Sequence, residues 1–295
     1  MDEEEKRKYI KAGEIAERIL KNLKVERDMK FIEIAEKIEK EIASYAKPAF
    51  PVNISCNETA AHDTPDKNDE RIIKDEVLKI DFGVHIDGYI ADCAITYDFS
   101  GKYEKLLKAS KKALETAVGK VKEGIKISEI GREIEKTIKS FGFMPIENLG
   151  GHFLSRYELH VGEIPNYEIR SGEILKEGDV IAIEPFSTNG IGYVKETNIC
   201  KIYSATELKP TRNSIAREFF KKIENEYNKL PFAERWVIKS LEDKISLLEL
   251  VRNGSLKTYP VLKEKNNGIV SQFETTVIVE KDSGKVLISL DSFDI

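Results

Sequence analysis

The stretch VLKIDFGVHIDGYIADCAITY, at residues 77–97, constrains the fold more than any other part of the chain. Strand-forming residues lie on both sides of Ile86-Asp87-Gly88, and Asp-Gly between two such runs is typical of a β-hairpin turn. A loop centred on Ile86-Asp87 would place Asp81 directly opposite Asp92. A loop centred on Asp87-Gly88 would make the two acids diagonal neighbours on the same face. Both registers bring the carboxylates together.

Two carboxylates held this close repel each other. At ~4 Å and an effective dielectric constant of about 20, the repulsion is roughly 4 kcal/mol. A solvated hairpin with exposed acids would be the simpler interpretation of an isolated pair. Two further apolar strands argue against it: LKEGDVIAIEPF resembles IKDEVLKIDFG and has Glu184 in the place of Asp81, and VSQFETTVIVE carries Glu274. Acids within apolar strands predict buried carboxylates with a positively charged partner.

The segment Gly150-Gly151-His152 adds an imidazole, because two glycines let the backbone approach a cluster closely. Four carboxylates and one imidazole are suitable ligands for a pair of divalent transition-metal ions. Such ions would bring four positive charges to the four acids, so the cluster would be close to neutral. Cobalt, manganese, iron and zinc all accept this ligand set, and the sequence leaves the identity of the metal open.

Bulk properties predict one soluble unit. A chain of 295 residues can bury one substantial core, and no Pro/Gly/Ser-rich linker divides it. The cysteines, Cys56, Cys93 and Cys200, form neither a zinc-type pair nor a disulfide framework, which suits a reducing cytosol. No apolar run could span a bilayer, and the acidic residues 2–5 are unlike a signal peptide. We therefore expect a cytoplasmic protein with no membrane partner.

The charge distribution argues against a nucleic-acid substrate. The formal net charge is −5, and the lysines and arginines alternate with acids rather than forming a basic stripe with aromatic residues. DNA is therefore not an expected partner. A small basic patch for transient docking on the ribosome is left open.

The spacing of apolar residues predicts an α+β fold. Helices are expected over residues 3–22, 31–45, 103–122 and 127–141, and a longer helical stretch from about Ser214 to Val251. Strands are expected at AFPVNIS, in the hairpin and around Glu184 and Glu274. Helices should flank a central antiparallel sheet whose inner face carries the acids.

Several motifs together resemble methionine aminopeptidase, a member of the pita-bread metallopeptidases. In chain order they are AFPVNISCNETAAHDTP, KIDFGVHIDGYIAD, NLGGHFLSRYELHVG, IAIEPF, LPFAERW and VSQFETT. The resemblance is closest to the compact archaeal form of type 2, because a long segment separates Glu184 from Glu274. It implies two halves related by a pseudo-twofold axis, a single catalytic domain over residues 1–295 and, within it, a type 2 helical insertion at approximately residues 204–258.

The resemblance also implies the chemistry. The enzyme would act as a monomer on nascent polypeptides and remove the initiator methionine, preferably when the second residue is small. Asp81 would bind one ion with both oxygens, His152 would bind the other, and Asp92 and Glu274 would bridge the two. Glu184 would bind metal and act as general base, while a bridging hydroxide attacks the peptide carbonyl.

Three of the four histidines, His62, His152 and His160, match active-site positions of the family. His62 and His160 match the two active-site histidines of the family that do not bind metal, and either could hydrogen-bond the substrate carbonyl or the tetrahedral intermediate. The match implies that His62 is also the residue alkylated by fumagillin-type epoxides. His85, at the tip of the hairpin, is expected to be structural.

Phe50, Tyr259 and Leu262 match positions that line the methionine pocket of the family. Aromatic and aliphatic walls hold a thioether through apolar burial and sulfur–aromatic contact. Taken singly, each of the three would be an ordinary core residue. One departure from the family is Thr275, because His commonly follows the last ligand. On a strand, Thr275 should face away from the metals.

Two other functions are weighed against this one. A proline-specific peptidase of the same fold would share the metal site, but such enzymes typically carry an additional N-terminal domain and different histidine contexts. A non-catalytic relative that binds ribosome, RNA or protein would lose metal ligands, whereas all five are present here. Cleavage of Met-Ala peptides, cleavage of Xaa-Pro peptides or no cleavage distinguishes the three.

Overall fold

The computed structural model describes residues 1–293. The helices of this part are α1 (Glu3–Asn22), α2 (Phe31–Ala43), α3 (Glu104–Val118), α4 (Ile127–Ser140), α5 (Ser214–Tyr227), α6 (Glu234–Val237) and α7 (Leu241–Arg252). The strands are β1 (Lys47–Pro48), β2 (Asn53–Cys56), β3 (Thr59–Ala61), β4 (Val77–Ile86), β5 (Tyr89–Asp98), β6 (Met144–Pro145), β7 (Gly151–Phe153), β8 (Glu163–Ile164), β9 (Val180–Ile183), β10 (Phe186–Thr188), β11 (Val194–Ala205), β12 (Phe232–Ala233), β13 (Leu256–Glu264), β14 (Val270–Gln272), β15 (Thr275–Val279) and β16 (Gly284–Val286). A 3₁₀ turn at Leu290–Phe293 follows β16. The predicted α+β class is confirmed.

The predicted helices α1 to α4 form where apolar residues recur at helical spacing. At the start of α1, the Asp2 side chain accepts a hydrogen bond from the Glu5 backbone at 2.8 Å, and the Glu5 carboxylate accepts one from the Asp2 backbone at 2.9 Å. This reciprocal pair satisfies two backbone donors that the first helical turn leaves open. The buried face of α1, which includes Ile15 and Ile19, packs against β4 and β5.

The hairpin adopts the second of the two predicted registers. Asp87 and Gly88 both have positive φ, 51° and 88°, and form the two-residue turn between β4 and β5. Asp81 consequently pairs with Ala94, and Asp92 pairs with Gly83. The two acids are therefore diagonal neighbours on one face.

Two antiparallel sheets meet at the acids. In the first, β4 pairs with β5 along its whole length and with β2 and β1 on its other edge. The second has the strand order β16-β15-β9-β7-β8. A single bridge between Ala94 and Glu274 connects the sheets, with the Glu274 N–H donating to the Ala94 carbonyl at 3.0 Å.

The long helix predicted from about Ser214 to Val251 is wrong as a continuous element. α5 ends at Tyr227, and the next residue, Asn228, has a positive φ of 57°. Pro231 lacks the N–H that a helix interior needs, and β12 follows it and pairs with β11. Ser240 then accepts from the Asp243 backbone and begins α7. The apolar spacing concealed these interruptions.

Residues 204–258, predicted as an insertion, begin at the end of β11 and end within β13, which pair with each other. The helices between them enclose a hydrophobic cluster separate from the main core. Its members include Phe219, Phe220, Phe232, Leu247 and Leu250. Across residues 1–293, no helix is long and apolar enough to cross a membrane.

Candidate metal centre and substrate cavity

The five residues predicted as metal ligands come from five segments that sheet pairing brings together. Asp81 and Asp92 lie on β4 and β5, and His152 lies on β7. Glu184 directly follows β9, and Glu274 directly precedes β15. Because β15 pairs with β9 and β9 pairs with β7, the last three reach the same end of one sheet.

Ligand atoms of Asp92, His152 and Glu274 all lie within 4.8 Å of one another. His152 Nε2 lies 3.7 Å from Asp92 Oδ2 and 3.6 Å from Glu184 Oε1, so the imidazole faces the carboxylates. Asp81 Oδ1, Asp92 Oδ1 and Glu274 Oε1 are buried without a hydrogen-bond partner among the described residues. Buried oxygens of this kind ordinarily have a partner, and a divalent cation provides one.

The pKa values of the four acids also indicate that a cation belongs in the cluster. Burial raises the pKa of Asp81 to about 7. Burial and the charge of Asp81 together raise the pKa of Asp92 well above its ordinary value. The pKa values of Glu184 and Glu274 are raised by the same two effects, burial first and the neighbouring acids second. Divalent ions would reverse this repulsion and keep all four groups ionised, so the residues fit the predicted cofactors.

The predicted site residues all line one cavity of about 430 Å³. Beyond the five ligands, these are the two other histidines and the three predicted pocket residues: His62, His160, Phe50, Tyr259 and Leu262. The Tyr259 ring lies between the two histidines, with centroid distances of 5.6 Å to His62 and 6.0 Å to His160. The cavity therefore places an apolar wall and two imidazoles beside the acidic cluster.

The hydrogen bond of His62 fixes its tautomer. His62 Nδ1 lies 3.2 Å from the Pro260 carbonyl oxygen, and a carbonyl can only accept, so Nδ1 carries the hydrogen. Burial lowers the pKa of His62 to about 4, so the ring is neutral at pH 7. Its Nε2 is then an acceptor with a free lone pair. Desolvation by the surrounding protein, together with the neighbouring His152 and His62, lowers the pKa of His160 well below its ordinary value.

Three polar residues that the sequence reasoning did not select contact this site. Gln272 Nε2 donates to Glu184 Oε2 at 3.0 Å and to Glu274 Oε2 at 3.4 Å. Asn53 lines the cavity and pairs with Asp81 across β2 and β4. Asn166 donates to the backbone carbonyl of Glu184 at 3.2 Å. The position of Gln272, two residues before Glu274 in a strand, was a signal for a shared face.

Three residues near the motifs, Thr275, Cys93 and His85, direct their polar atoms away from the cluster. Thr275 donates to the Ile288 carbonyl at 2.8 Å, so its side chain points away from the metal ligands as predicted. The Cys93 thiol is buried and contacts the Phe82 carbonyl at 3.5 Å. His85 accepts a hydrogen bond at Nδ1 from the Gly88 N–H at 3.0 Å and thereby supports the hairpin turn.

Solved structures of known proteins share this fold. A thermophilic Arx1 superposes with a TM-score of 0.84 at 19% identity, covering 100% of this chain and 95% of that one. The methionine aminopeptidase from Thermotoga maritima superposes with a TM-score of 0.70 at 21% identity, covering 97% of each chain. At these identities the likeness establishes the pita-bread fold alone.

Sequence relatives are more specific. Residues 7–280 match metallopeptidase family M24. The methionine aminopeptidase of Archaeoglobus fulgidus is 48% identical over 292 residues, which cover 97% of this chain and 99% of the relative. An identity of this size over the whole length includes the segment that separates Glu184 from Glu274. The chain therefore belongs to metallopeptidase family M24 and, within it, to the methionine aminopeptidases.

Proposed function

We propose that this enzyme removes the initiator methionine from nascent proteins in the cytoplasm, as a monomer, preferably when the second residue is small. The observation that carries this proposal is the convergence of four acids, three of them buried and Asp81 partly buried, with three histidines and an apolar wall on one cavity. The acids and His152 provide a dinuclear metal site, and the wall accepts the methionine side chain. The catalytic unit spans residues 1–295 and includes the insertion.

The metal site of the proposal consists of Asp81, Asp92, His152, Glu184 and Glu274. Two divalent ions bound there would lower the pKa of water from ~15.7 to about 7 and polarise the peptide carbonyl. The unpartnered carboxylate oxygens support this assignment, because the protein itself supplies no cation to neutralise them within the described part.

Glu184 is the proposed general base. Its Oε2 accepts from Gln272 Nε2, which holds the carboxylate at that oxygen, while its Oε1 faces the cluster 3.6 Å from His152 Nε2. A fixed carboxylate that takes the proton of the attacking water lowers the barrier, because proton transfer and attack then occur in one geometry.

The two remaining histidines take different parts in the proposal. His62 is neutral and presents Nε2 as an acceptor, which suits the N–H groups at the substrate N-terminus. The same lone pair is a nucleophile, which supports the proposal that fumagillin-type epoxides would alkylate His62. His160 stacks edge-on against His152 with centroids 4.5 Å apart and is the proposed hydrogen-bond donor to the substrate carbonyl.

The methionine pocket of the proposal is formed by Phe50, Tyr259 and Leu262. The first two are buried, and Leu262 lies on β13 beside Ala61 of β3. Burial of a thioether against such walls contributes roughly 1.5–3 kcal/mol. Methionine is thereby favoured over shorter side chains such as alanine.

Mass spectrometry of four short peptides tests the function directly. Peptides beginning Met-Ala, Met-Lys, Ala-Ala and Xaa-Pro are incubated with the enzyme and cobalt or manganese, with a chelated control. We expect metal-dependent loss of methionine from Met-Ala alone. Cleavage of Xaa-Pro would indicate a proline-specific peptidase, and no cleavage with either metal would favour a binding protein.

A further inference from the structure

The LPFAERW motif, residues 230–236, has no part in the proposed function beyond Pro231, which lines the cavity. Its Arg235 lies on α6 and is only 8% exposed, which is unusual for a guanidinium group. A buried arginine requires partners, and the partners of Arg235 lie outside the insertion.

Arg235 connects the insertion to the segment that follows His62. Its Nη1 donates to Thr64 Oγ1 at 2.6 Å and to the Pro65 carbonyl at 3.2 Å. Its Nη2 donates to the Glu39 carboxylate of α2. The resulting ion pair is buried on both sides, with the Arg235 and Glu39 side chains 4% and 12% exposed.

Glu39 extends the same network to the strand that borders the cavity. It accepts a hydrogen bond from the Val52 N–H at 3.2 Å and from Trp236 Nε1 at 3.0 Å. Trp236 is the last residue of the LPFAERW motif. The motif therefore holds both ends of the short polypeptide segment between Val52 and Pro65.

The hydroxyl of Thr64 closes the network. It donates to the Val52 carbonyl at 2.7 Å, and since it has only one hydrogen, it acts as the acceptor toward Arg235. Thr64 is fully buried, so water cannot replace either partner. Its position is consequently set by Arg235 together with the Val52 carbonyl.

His62 lies two residues before Thr64 and has a positive φ of 64°. A residue with a side chain is uncommon in that region, although His is among the types found there more often, and surrounding contacts stabilise it. Before His62, Ala61 pairs with Leu262 across β3 and β13. After His62, the chain is held at Asp63, whose carbonyl accepts from the Ile54 N–H at 2.6 Å and whose carboxylate pairs with Arg71. It is also held at Thr64, whose side chain is held by Val52 and Arg235. The ring itself is held by the Pro260 carbonyl.

We propose that Arg235 is a positioning residue, which acts through Thr64 to hold His62 in this backbone conformation with its ring in the cavity. The proposal rests on the role of His62 in the proposed function. The insertion then contributes to the active site, because its Arg235 guanidinium helps to hold His62, which lies on another segment.

The test uses Thr64→Val, which removes the hydroxyl but keeps the side-chain shape. The ion pair of Glu39 and Arg235 remains, and so does the pairing of Asp63 with Arg71 at 2.7 Å, so the segment stays folded. With the manganese-loaded enzyme and a Met-Ala peptide, we expect kcat to fall roughly tenfold to a hundredfold with KM little changed. Thr64→Ser, which restores the hydroxyl, should recover most of the loss.

A double-mutant comparison separates positioning from general damage. In a His62→Ala background, Thr64→Val should cause no further loss of kcat, because the residue it positions is gone. Thr116→Val is the matched control, since the Thr116 hydroxyl bonds to Thr137 between α3 and α4. This control should leave kcat unchanged. Arg235→Met, checked for folding by thermal melting, should reproduce the Thr64→Val pattern.

Two results would overturn the inference. One is an unchanged kcat in Thr64→Val; the other is an equal fold loss in both backgrounds, which would mean that Thr64 acts independently of His62. If His62→Ala itself has full activity, the role of His62 in the proposed function fails, and the positioning role of Arg235 fails with it. The His62→Ala single variant therefore tells the two failures apart.

Discussion

The two pairs of acids at the cavity reach it by different routes. Asp81 and Asp92 lie on one hairpin, and a two-residue turn fixes their distance. Glu184 and Glu274 lie on either side of the long segment that contains α5 to α7, and they meet only because β9 pairs with β15. The first pair is set by local structure, whereas the second depends on closing a long loop.

The support of the two pairs differs accordingly. The hairpin pair is embedded in a continuous ladder of backbone hydrogen bonds between β4 and β5. The second pair is joined at the level of its side chains by Gln272, which donates to both Glu184 and Glu274. The second pair should therefore respond more to the loss of metal and to distant substitutions.

Chelation should produce the largest effect, because it leaves both pairs without positive charge. Activity should be lost. Burial raises the pKa of Asp81 from 3.8 to about 7, so the folded metal-free protein binds a proton that the unfolded chain releases between these values. The free energy of unfolding of the metal-free form should therefore fall as the pH rises across this range.

Thermal melting checks this prediction. Bound metal keeps the carboxylates ionised, so the metal-loaded protein should lack this penalty. The difference in Tm between the two forms should widen as the pH approaches 7, and a difference that stays constant would contradict buried, cation-paired acids.

Glu184→Gln should have the next largest effect and separates binding from chemistry. The amide oxygen remains available to a metal but cannot take a proton, so turnover should fall by roughly 10²- to 10⁴-fold. Metal content, measured by elemental analysis, should stay near that of the wild type. Asp81→Asn is the contrasting variant and should lose metal, because Asp81 is expected to bind one ion with both oxygens and an amide offers only one. A Glu184→Gln rate equal to wild type would exclude Glu184 as the base.

Gly88→Ala tests the hairpin turn that sets the distance between Asp81 and Asp92. Gly88 has a φ of 88°, and an added Cβ would lie 2.4 Å from the Tyr157 ring. The left-handed conformation costs a residue with a side chain about 1–2 kcal/mol, and the overlap adds to it. Urea unfolding should show this loss, whereas kcat should change little because the acids lie away from the turn. Gly101→Ala, with a φ of 68° and nothing within 4 Å, is the control for the backbone term alone.

Thr275→Val tests β15, the strand whose pairing with β9 brings Glu274 to Glu184. It should have the smallest effect. It removes the hydrogen bond to the Ile288 carbonyl, at a cost of about 1 kcal/mol in unfolding free energy. Turnover should remain near wild type, because the side chain faces away from the metals. Thr276→Val is the contrasting variant: the Thr276 hydroxyl bonds to the Asp92 backbone, so metal affinity should fall more. The reverse order would show that Thr275 supports Glu274.

The sequence predicted the hairpin that holds Asp81 and Asp92 better than the contacts around Glu184 and Glu274. Alternating residues and Asp-Gly predicted the hairpin, but the choice of register also involves the His85 contact with the Gly88 N–H and the packing of Tyr157, which the residue pattern does not contain. Gln272 was missed because its two partners are acids on different segments.

The insertion shows the same limit. Apolar spacing predicted helix through Asn228 and Pro231, although both oppose it. In the structure, pairing of β12 with β11 stabilises the break between α5 and α7. The spacing of apolar residues contains no information about this pairing. In contrast, every residue that the family resemblance assigned to the site lines the cavity, because the resemblance rests on motifs and not on spacing; Asn53, which also lines the cavity, was not among them.

The buried thiol behind the acids has a practical consequence for work with this enzyme. Burial raises the pKa of Cys93 well above its ordinary value, that of Cys56 to about 12, and that of Cys200 as well. Thiolate is the form that air oxidises and that binds soft metals. Little thiolate is therefore present at neutral pH, so we expect slow air oxidation of the three sulfurs and an enzyme that can be handled without thiol reductants, which would themselves compete for the metal ions.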